Sequence, residues 1–316
     1  MRILNYGAGA VGLGIDSCLI KTGCHLDILA RPETVKALTA AGLKRKGILG
    51  SVQWSPERFR AYPSLDGLPP GAYDVILVST KSFDSAEAAR DLHNHPELFH
   101  PGTAIVLFQN GWGNTEHFTA YFNAARIFNA RVITGFVRQQ PNVVDITVHA
   151  DAIHIGCLAG GDTLSIEPLC RKISEGGIPA QTTDAIAKDL WAKMLYNCAL
   201  NPLGAILNVT YGELGQSSLS RELCDAIITE VFQVMVATGH ETHWRTSEDY
   251  RDIFYATLLP LTASHHSSTW QDLKSGKKTE IDALNGIVIQ LARRHNIPVP
   301  VNAVVYRMIK FLEREL

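Results

Sequence analysis

The hexapeptide Gly7-Ala8-Gly9-Ala10-Val11-Gly12 constrains this chain more than any other stretch. It follows Ile3-Leu4-Asn5-Tyr6, which reads as a short strand, and runs into a helix-like stretch at residues 13–21; residues 25–29 read as the next strand. A G-x-G-x-x-G between a first strand and a helix, with a second strand close behind, is the fingerprint of a Rossmann-type dinucleotide-binding unit. The first glycine permits the tight turn, the second lets backbone approach a pyrophosphate, and the third lets helix and strand pack closely. The phosphates then rest on the free N–H groups at the helix start. The plain alternative is a glycine-rich turn in an unrelated α/β protein.

The end of the second strand bears on which dinucleotide is bound. NAD-binding versions usually place Asp or Glu there to hold the ribose hydroxyls. Here the strand ends Leu29-Ala30-Arg31-Pro32, and Asp27 lies too early to reach a ribose. A small residue followed by a guanidinium suits a 2′-phosphate, because Arg pairs with phosphate through two parallel hydrogen bonds. NADP is therefore the expected cofactor, with a lone surface arginine as the alternative reading of Arg31.

Residues 32–41 read as a helix and 42–54 as a hairpin around Lys46-Gly47. Residues 74–80 (DVILVST) and 104–108 (AIVLF) are continuous apolar runs of the buried parallel-strand type. Ligands of an open parallel sheet bind beyond the carboxyl ends of its strands. Lys81 and Asn110, which follow these two runs, therefore fall where a cofactor lies, with helix capping as the alternative for Asn110. Between residues 126 and 178, β-like pieces at 132–137, 143–148 and 152–155 are expected to extend the same sheet.

Beyond residue 183 the pattern turns helical: 184–207, 219–238, 247–263, 279–294 and 301–312. The expected fold class is an α/β N-terminal Rossmann-type dinucleotide-binding domain (1–183) followed by an all-α C-terminal domain (184–316). Within the first of these helices, Lys193, Asn197 and Asn201 recur every four residues among Met194, Leu195, Ala199, Leu200 and Leu203. A four-residue step drifts only about 40° around a helix, so the three project from one face. An unpaired buried amide costs roughly 1–3 kcal/mol. Such a stripe is either a satisfied internal network or the lining of a polar site.

Composition narrows the remaining classes. A formal net charge of −2 removes a broad electrostatic case for nucleic acid or anionic membrane. No apolar run approaches the roughly 20 residues that span a bilayer, so no membrane partner is expected. The N-terminus reads directly into the first strand, so no signal peptide is expected. The six cysteines are scattered without a C-x-x-C pair, as packed, reduced thiols would be, and no metal site is expected. A cytoplasmic location is the default expectation.

Taken together, GAGAVG, Lys81, Gln109-Asn110-Gly111 and the K-x-x-x-N-x-x-x-N-P run from Lys193 to Pro202 resemble the ketopantoate reductase family. So do Ser267-Ser268-Thr269-Trp270-Gln271-Asp272, Thr279-Glu280-Ile281-Asp282 and Asn285-Gly286, the last two motifs expected on one helix. The likeness spans the whole chain in order. It implies an NADPH-dependent 2-dehydropantoate 2-reductase of pantothenate synthesis, acting on a small branched 2-oxo acid. It further implies Lys193 as proton donor, Asn197 and Asn201 as substrate-binding amides, and Ser268 as contact to the substrate carboxylate. Glu280 is implied near lysine and cofactor, Asn110 between nicotinamide and substrate, and Arg31 and Lys81 as cofactor contacts beside Gly7, Ala8, Gly9, Ala10, Val11 and Gly12.

Chemistry supports these roles separately. Hydride addition to a ketone leaves negative charge on oxygen, so a cation or proton donor must stand beside it. Lysine, with a reference pKa of about 10.4, is protonated at neutral pH and can release its proton as charge develops. A carboxylate such as Glu280 offsets the desolvation of that ammonium and aims it; a purely structural Lys–Glu pair is the alternative. One position departs from the family pattern: Tyr211, before Gly212-Glu213, stands where an asparagine is usual, with Asn208 nearby as a substitute. This leaves hydride chemistry intact and the exact 2-oxo acid open.

Other signals carry less. His240-Glu241-Thr242-His243 lacks the spacing of a zinc-protease motif, His265-His266 reads as helix-end or surface, and residues 274–278 read as a solvated turn. Alternatives to the reductase are a dehydrogenase of another 2-hydroxy acid and a catalytically silent NADP-binding sensor, which would have no need of Lys193 and Glu280. A helical second domain is able to support a homodimer, but no segment singles out an interface.

Overall fold

The computed structural model of the chain describes residues 1–315. These pack as two units, Met1–Gln109 with Asn114–Ile186, and Asn110–Gly113 with the described residues from Ala187 onward.

The first unit carries the strands β1 (Arg2–Tyr6), β2 (His25–Leu29), β3 (Leu43–Gly47), β4 (Val52–Trp54), β5 (Arg60–Tyr62), β6 (Val75–Val78), β7 (Ala104–Leu107), β8 (Ile127–Arg131), β9 (Thr134–Gln140), β10 (Val143–His149), β11 (Ile153–Gly156) and β12 (Ala180–Thr182). Its helices are α1 (Ala10–Lys21), α2 (Pro32–Ala41), α3 (Ser85–His93), α4 (Asn114–Thr119) and α5 (Glu167–Gly176). The main sheet runs β12-β11-β8-β7-β6-β1-β2-β5. Its pairs are parallel except β8 with β11. Strand order reverses at β1, which pairs with β2 on one side and β6 on the other, so the glycine loop leaves the sheet at its switch point. Side chains alternate between two faces: Ile3, Val75, Leu77 and Val106 enter the core with α1 and α5, while Leu4, Ile76, Val78 and Ile105 enter the core with α3 and α4.

Two expectations for this unit are corrected. Residues 132–137 and 143–148 do not extend the main sheet. As β9 and β10 they join the hairpin of β3 and β4 in a separate sheet ordered β4-β3-β10-β9. Only β8, β11 and β12 lengthen the first sheet. The second sheet has a face to bury, and α1 supplies the partner: a Cβ on Gly14 would come within 2.3 Å of the Phe136 ring, so glycine is what admits this contact. Asp27 in β2 is engaged by Arg60 (2.9 Å) and by the Tyr73 hydroxyl (2.7 Å), in keeping with its position inside the strand.

The second unit comprises α6 (Ile186–Leu207), α7 (Tyr211–Gln216), α8 (Ser218–Ala237), α9 (Ser247–Ile253), α10 (Leu259–Leu261), α11 (Ser268–Lys274), α12 (Asn285–Arg294) and α13 (Pro300–Leu312). Its core gathers Trp191, Leu195, Cys198, Ala199 and Leu200 of α6 with Ile227, Val231, Phe254, Leu284 and Val288. Pro202 lies inside α6. It has no N–H to give the carbonyl four residues back, Cys198. The Asn285 side chain supplies the missing donor at 3.0 Å, and also donates to Asn302, which donates in turn to Glu230. Glu230 accepts the Val301 and Asn302 N–H groups at the start of α13, where its charge also suits the helix dipole. A buried polar thread thus joins α6, α12, α13 and α8.

Two helices expected as continuous are broken. The 247–263 segment passes from α9 through a π-helical stretch, Phe254–Leu258, to α10. The 279–294 segment is a 3-10 turn, Ile281–Ala283, separated from α12 by Leu284 at φ −104°, ψ −107°. Glu280 and Asn285 therefore do not share a helix. All six cysteines are free and buried. Among the described residues no helix is long and apolar enough to cross a membrane.

Candidate functional site

In the first unit the glycine loop has a reason for each glycine. Gly7 sits at φ +119°, a conformation L side chains rarely adopt, and a Cβ there would meet the Thr80 amide at 2.8 Å. A Cβ on Gly12 would lie 2.4 Å from the Gly7 carbonyl and 2.5 Å from Ser79 Oγ. Gly9 differs: its Cβ would meet only the Ser79 carbonyl, at an ordinary 3.6 Å. Nothing inside the protein excludes a side chain at Gly9, so what benefits from its absence lies outside. Gly9 is the N-cap of α1, whose first turn, Ala10-Val11-Gly12, has no side-chain cap and no acidic residue. Its amides are available to an anion, and with Ala8 buried beneath, the loop fits a pyrophosphate.

The loop is braced from below. Ser79 Oγ shares its proton between Asn5 Oδ1 and the Gly7 carbonyl, each at 2.6 Å, and Asn5 Nδ2 donates to Asp16 Oδ1 at 2.8 Å. Burial pushes the Asp16 carboxyl well above the ordinary range.

Arg31 is exposed at the start of α2, beyond the end of β2, and its side chain makes no hydrogen bond or ion pair among the described residues. Beside it stands a residue that the sequence did not single out. Arg138 of β9 donates to the Thr34 hydroxyl of α2 at 2.6 Å. Burial holds its pKa below the usual arginine value, Glu33 opposes that shift, and the nearby Arg31 cation adds to it. Two guanidiniums from distant parts of the chain thus share one neighbourhood. Lys81 is half-buried beyond β6, ahead of the 3-10 turn Ser82–Asp84.

In the second unit, Lys193, Asn110 and Glu280 come together. The Lys193 ammonium donates to Asn110 Oδ1 at 2.7 Å, and Asn110 Nδ2 donates to Glu280 Oε2 at 3.3 Å. Local backbone explains the meeting. Gly111, at φ +92°, lies so close to the Ile281–Ala283 turn that a Cβ would stand 2.3 Å from the Ala283 carbonyl. The Trp112 N–H donates to that same carbonyl, and the Trp112 ring packs on Trp191 of α6 at 4.9 Å. Asn110 is thereby pinned between the helix bearing Lys193 and the turn bearing Glu280.

Further along α6 the two amides are placed differently. Asn197 is 7% exposed, yet among the described residues neither polar atom of its side chain has a hydrogen-bond partner, and neither is sealed from solvent. That is how a residue lining a polar void looks, not a member of a closed network. Asn201 Oδ1 accepts the Tyr211 hydroxyl at 2.6 Å, while its amide nitrogen has no partner among the described residues. The Ser267 hydroxyl donates to the Asn201 carbonyl at 3.0 Å and caps α11 by accepting the Trp270 N–H, which sets Ser268, half-buried, next to this turn of α6.

Asn208 does not take the place of the missing amide: at φ 57° it accepts the Trp270 indole N–H at 2.6 Å. The histidines are less peripheral than the sequence implied. His265 packs edge-on against Tyr211 at 5.4 Å, and His266 stacks on Trp270 at 4.2 Å. Burial, then the neighbouring His266, holds the His265 pKa below the ordinary histidine value. His243 is hydrogen-bonded to Asp189 and His240 packs on Trp112 and Trp191.

Comparison with known proteins gives the family. Residues 3–160 match the family model described as ketopantoate reductase PanE/ApbA, and residues 185–313 match its C-terminal counterpart. A 2-dehydropantoate 2-reductase of Aquifex aeolicus is 32% identical over 314 residues, covering 99% of this chain and 97% of the relative. The enzyme of the same name from Pyrococcus horikoshii is 26% identical, covering 99% and 98%. Among solved structures, a PanE/ApbA family ketopantoate reductase from Ralstonia eutropha superimposes with a TM-score of 0.84 at 27% identity, covering 100% and 99% of the two chains. D-mandelate dehydrogenase with NADH and anilino(oxo)acetate gives 0.88 at 21% identity, covering 100% and 99%, a likeness of fold. The chain belongs to the ketopantoate reductase family of NAD(P)-dependent oxidoreductases, which act on a ketone.

Proposed function

We infer that the chain reduces a small branched 2-oxo acid with NADPH, 2-dehydropantoate being the first candidate substrate, and that Lys193 delivers the proton. The observation that carries this reading is the hydrogen-bonded chain from Lys193 through Asn110 to Glu280. A module that only sensed a nucleotide would have no use for a fixed ammonium backed by an amide and a carboxylate.

The bound nicotinamide supplies the hydride. The protein's own part is electrostatic and protonic. As the ketone oxygen gains charge, the Lys193 ammonium stabilises it and gives up a proton at Nζ. Asn110 Oδ1 fixes the direction of that ammonium, and Glu280 fixes Asn110 through its amide N–H. Asn197, with no partner among the described residues, and Ser268 are available to the polar groups of the acid. Gly7, Gly9, Gly12 and the first turn of α1 hold the pyrophosphate, Lys81 contributes a cation beyond β6, and Arg31 meets the 2′-phosphate that separates NADPH from NADH.

The test is NADPH oxidation with purified protein against a panel of 2-oxo acids that includes 2-dehydropantoate. Turnover of at least one is expected, with 2-dehydropantoate among the best. Normal NADPH binding without turnover of any would reject the enzyme reading and leave the sensor.

A further inference from the structure

Asn201 is the better-buried of the two amides on the α6 stripe, and its environment is asymmetric. It is 3% exposed. Its oxygen is taken by the Tyr211 hydroxyl at 2.6 Å, whereas its nitrogen has no partner among the described residues and is not sealed from solvent. Tyr211 is itself 4% exposed, its ring held edge-on by Tyr196 at 5.7 Å and by His265 at 5.4 Å. Tyr196 is anchored in turn by its hydroxyl contact with Thr262. The Tyr196 and His265 rings pack against the phenol from two sides, and burial pushes its pKa up, so it keeps the proton that it donates to Asn201 Oδ1.

An asparagine amide carries a donor end and an acceptor end, and the one that faces a ligand is set by what the other end bonds. We propose that Tyr211 is a positioning residue that locks the Asn201 amide with its oxygen inward and its N–H groups toward the substrate, making this wall donor-only and selective for oxygen acceptors. Such a wall favours a carboxylate or keto oxygen. It offers no acceptor to a hydroxyl hydrogen on the substrate's side chain. An asparagine in place of Tyr211, as the family pattern has it, would itself present both ends and impose no such polarity. The proposal rests on the reductase reading and refines its substrate class, an acid whose anchoring groups at this wall are hydrogen-bond acceptors.

Two substrates that differ by a single hydroxyl read this polarity directly: 2-oxo-3,3-dimethylbutanoate and its 4-hydroxy derivative, 2-dehydropantoate. In Tyr211→Phe the Asn201 oxygen would face a ring with no donor, so the amide turns its oxygen outward. Turning it back to receive an acceptor again leaves a buried carbonyl unpaired. KM for the unhydroxylated acid is therefore expected to rise at least about fivefold, with kcat within about twofold. The hydroxylated acid has a hydrogen for the outward oxygen and loses less, so the ratio of kcat/KM, hydroxylated over unhydroxylated, rises. Tyr196→Phe is the control. It removes a hydroxyl from the same cluster but keeps the ring that packs edge-on against Tyr211, so the Tyr211–Asn201 bond stays and that ratio should remain at the wild-type value while stability falls. An unchanged KM and ratio in Tyr211→Phe, or an equal change of ratio in Tyr196→Phe, would overturn the proposal while leaving the reductase intact. Failure of the wild type to reduce either acid would instead remove the reading on which the proposal stands, and the proposal with it.

Discussion

Lys193 differs from an ordinary surface lysine in what it touches. Its Nζ donates at 2.7 Å to an amide oxygen that is itself positioned: the adjacent Gly111 lies against Ala283, and the other end of the amide donates to Glu280. An ammonium kept in one place serves a reaction whose charge appears at one atom. Lys193→Ala is expected to lower kcat by roughly a hundredfold or more, the usual scale for losing a general acid. Steady-state kinetics decide it: a raised KM with kcat nearly unchanged would make Lys193 a binding residue and hand the proton to another group.

At the scale of elements, the short 3-10 turn that follows Glu280 is held by the end of α13 and the residue after it. Glu313 accepts the Thr279 N–H at 2.8 Å and the Thr279 hydroxyl at 2.6 Å, while Lys310 bridges Glu313 (2.7 Å) and Asp282 (3.2 Å) and Tyr306 donates to Asp282. Glu313→Ala would strand both Thr279 donors, and Thr279 is fully buried. A loss of about 1–3 kcal/mol is expected by denaturant unfolding, partly recovered in Glu313→Gln, which keeps an acceptor. Burial pushes the Glu313 carboxyl up, but the bonds from Lys310 and Thr279 outweigh it and leave its pKa below the ordinary value. A depressed native pKa stabilises above the unfolded pKa and ceases to do so as pH falls through the native one. The gap between wild type and Glu313→Ala should accordingly be full at neutral pH and shrink below about pH 4; a gap that widened in acid would refute this clamp. None of it was legible in the sequence. The apolar spacing of residues 279–294 continues across the break at Leu284, so periodicity alone reports one helix. The glycine loop, the buried parallel strands and the stripe on α6 were legible because each is a local pattern with a local cause. The nearness of Glu280 to Lys193 was implied only by the family resemblance, and the link through Asn110 needed the fold. Asn285 was visible only as a motif, and its bond to the carbonyl freed by Pro202 needed the fold to explain it.

Across the whole molecule, what the sequence hid was pairing between distant segments. Nothing local tells β9 and β10 to leave the main sheet for the hairpin of β3 and β4, since an apolar strand fits either sheet until its partners are known. That choice has a consequence for the cofactor. It brings Arg138 across a sequence separation of 104 to the Thr34 hydroxyl, into the neighbourhood of Arg31. Two guanidiniums repel each other in the free protein, and a dianion between them would turn that repulsion into two charge-assisted contacts. The 2′-phosphate of NADPH is such a dianion, and NADH lacks it. Arg31→Ala and Arg138→Gln are each expected to weaken NADPH about tenfold while changing NADH much less. The preference can be measured without turnover, as the thermal stabilisation that each nucleotide gives at equal concentration, since a ligand of the native state stabilises it in proportion to the logarithm of its occupancy ratio. Because Arg138 also ties the second sheet to α2, its loss will lower the melting temperature of the free protein; only the difference between the two nucleotides bears on the phosphate. Equal losses for NADPH and NADH in Arg31→Ala would reject the 2′-phosphate role outright, and equal losses in Arg138→Gln alone would confine it to Arg31.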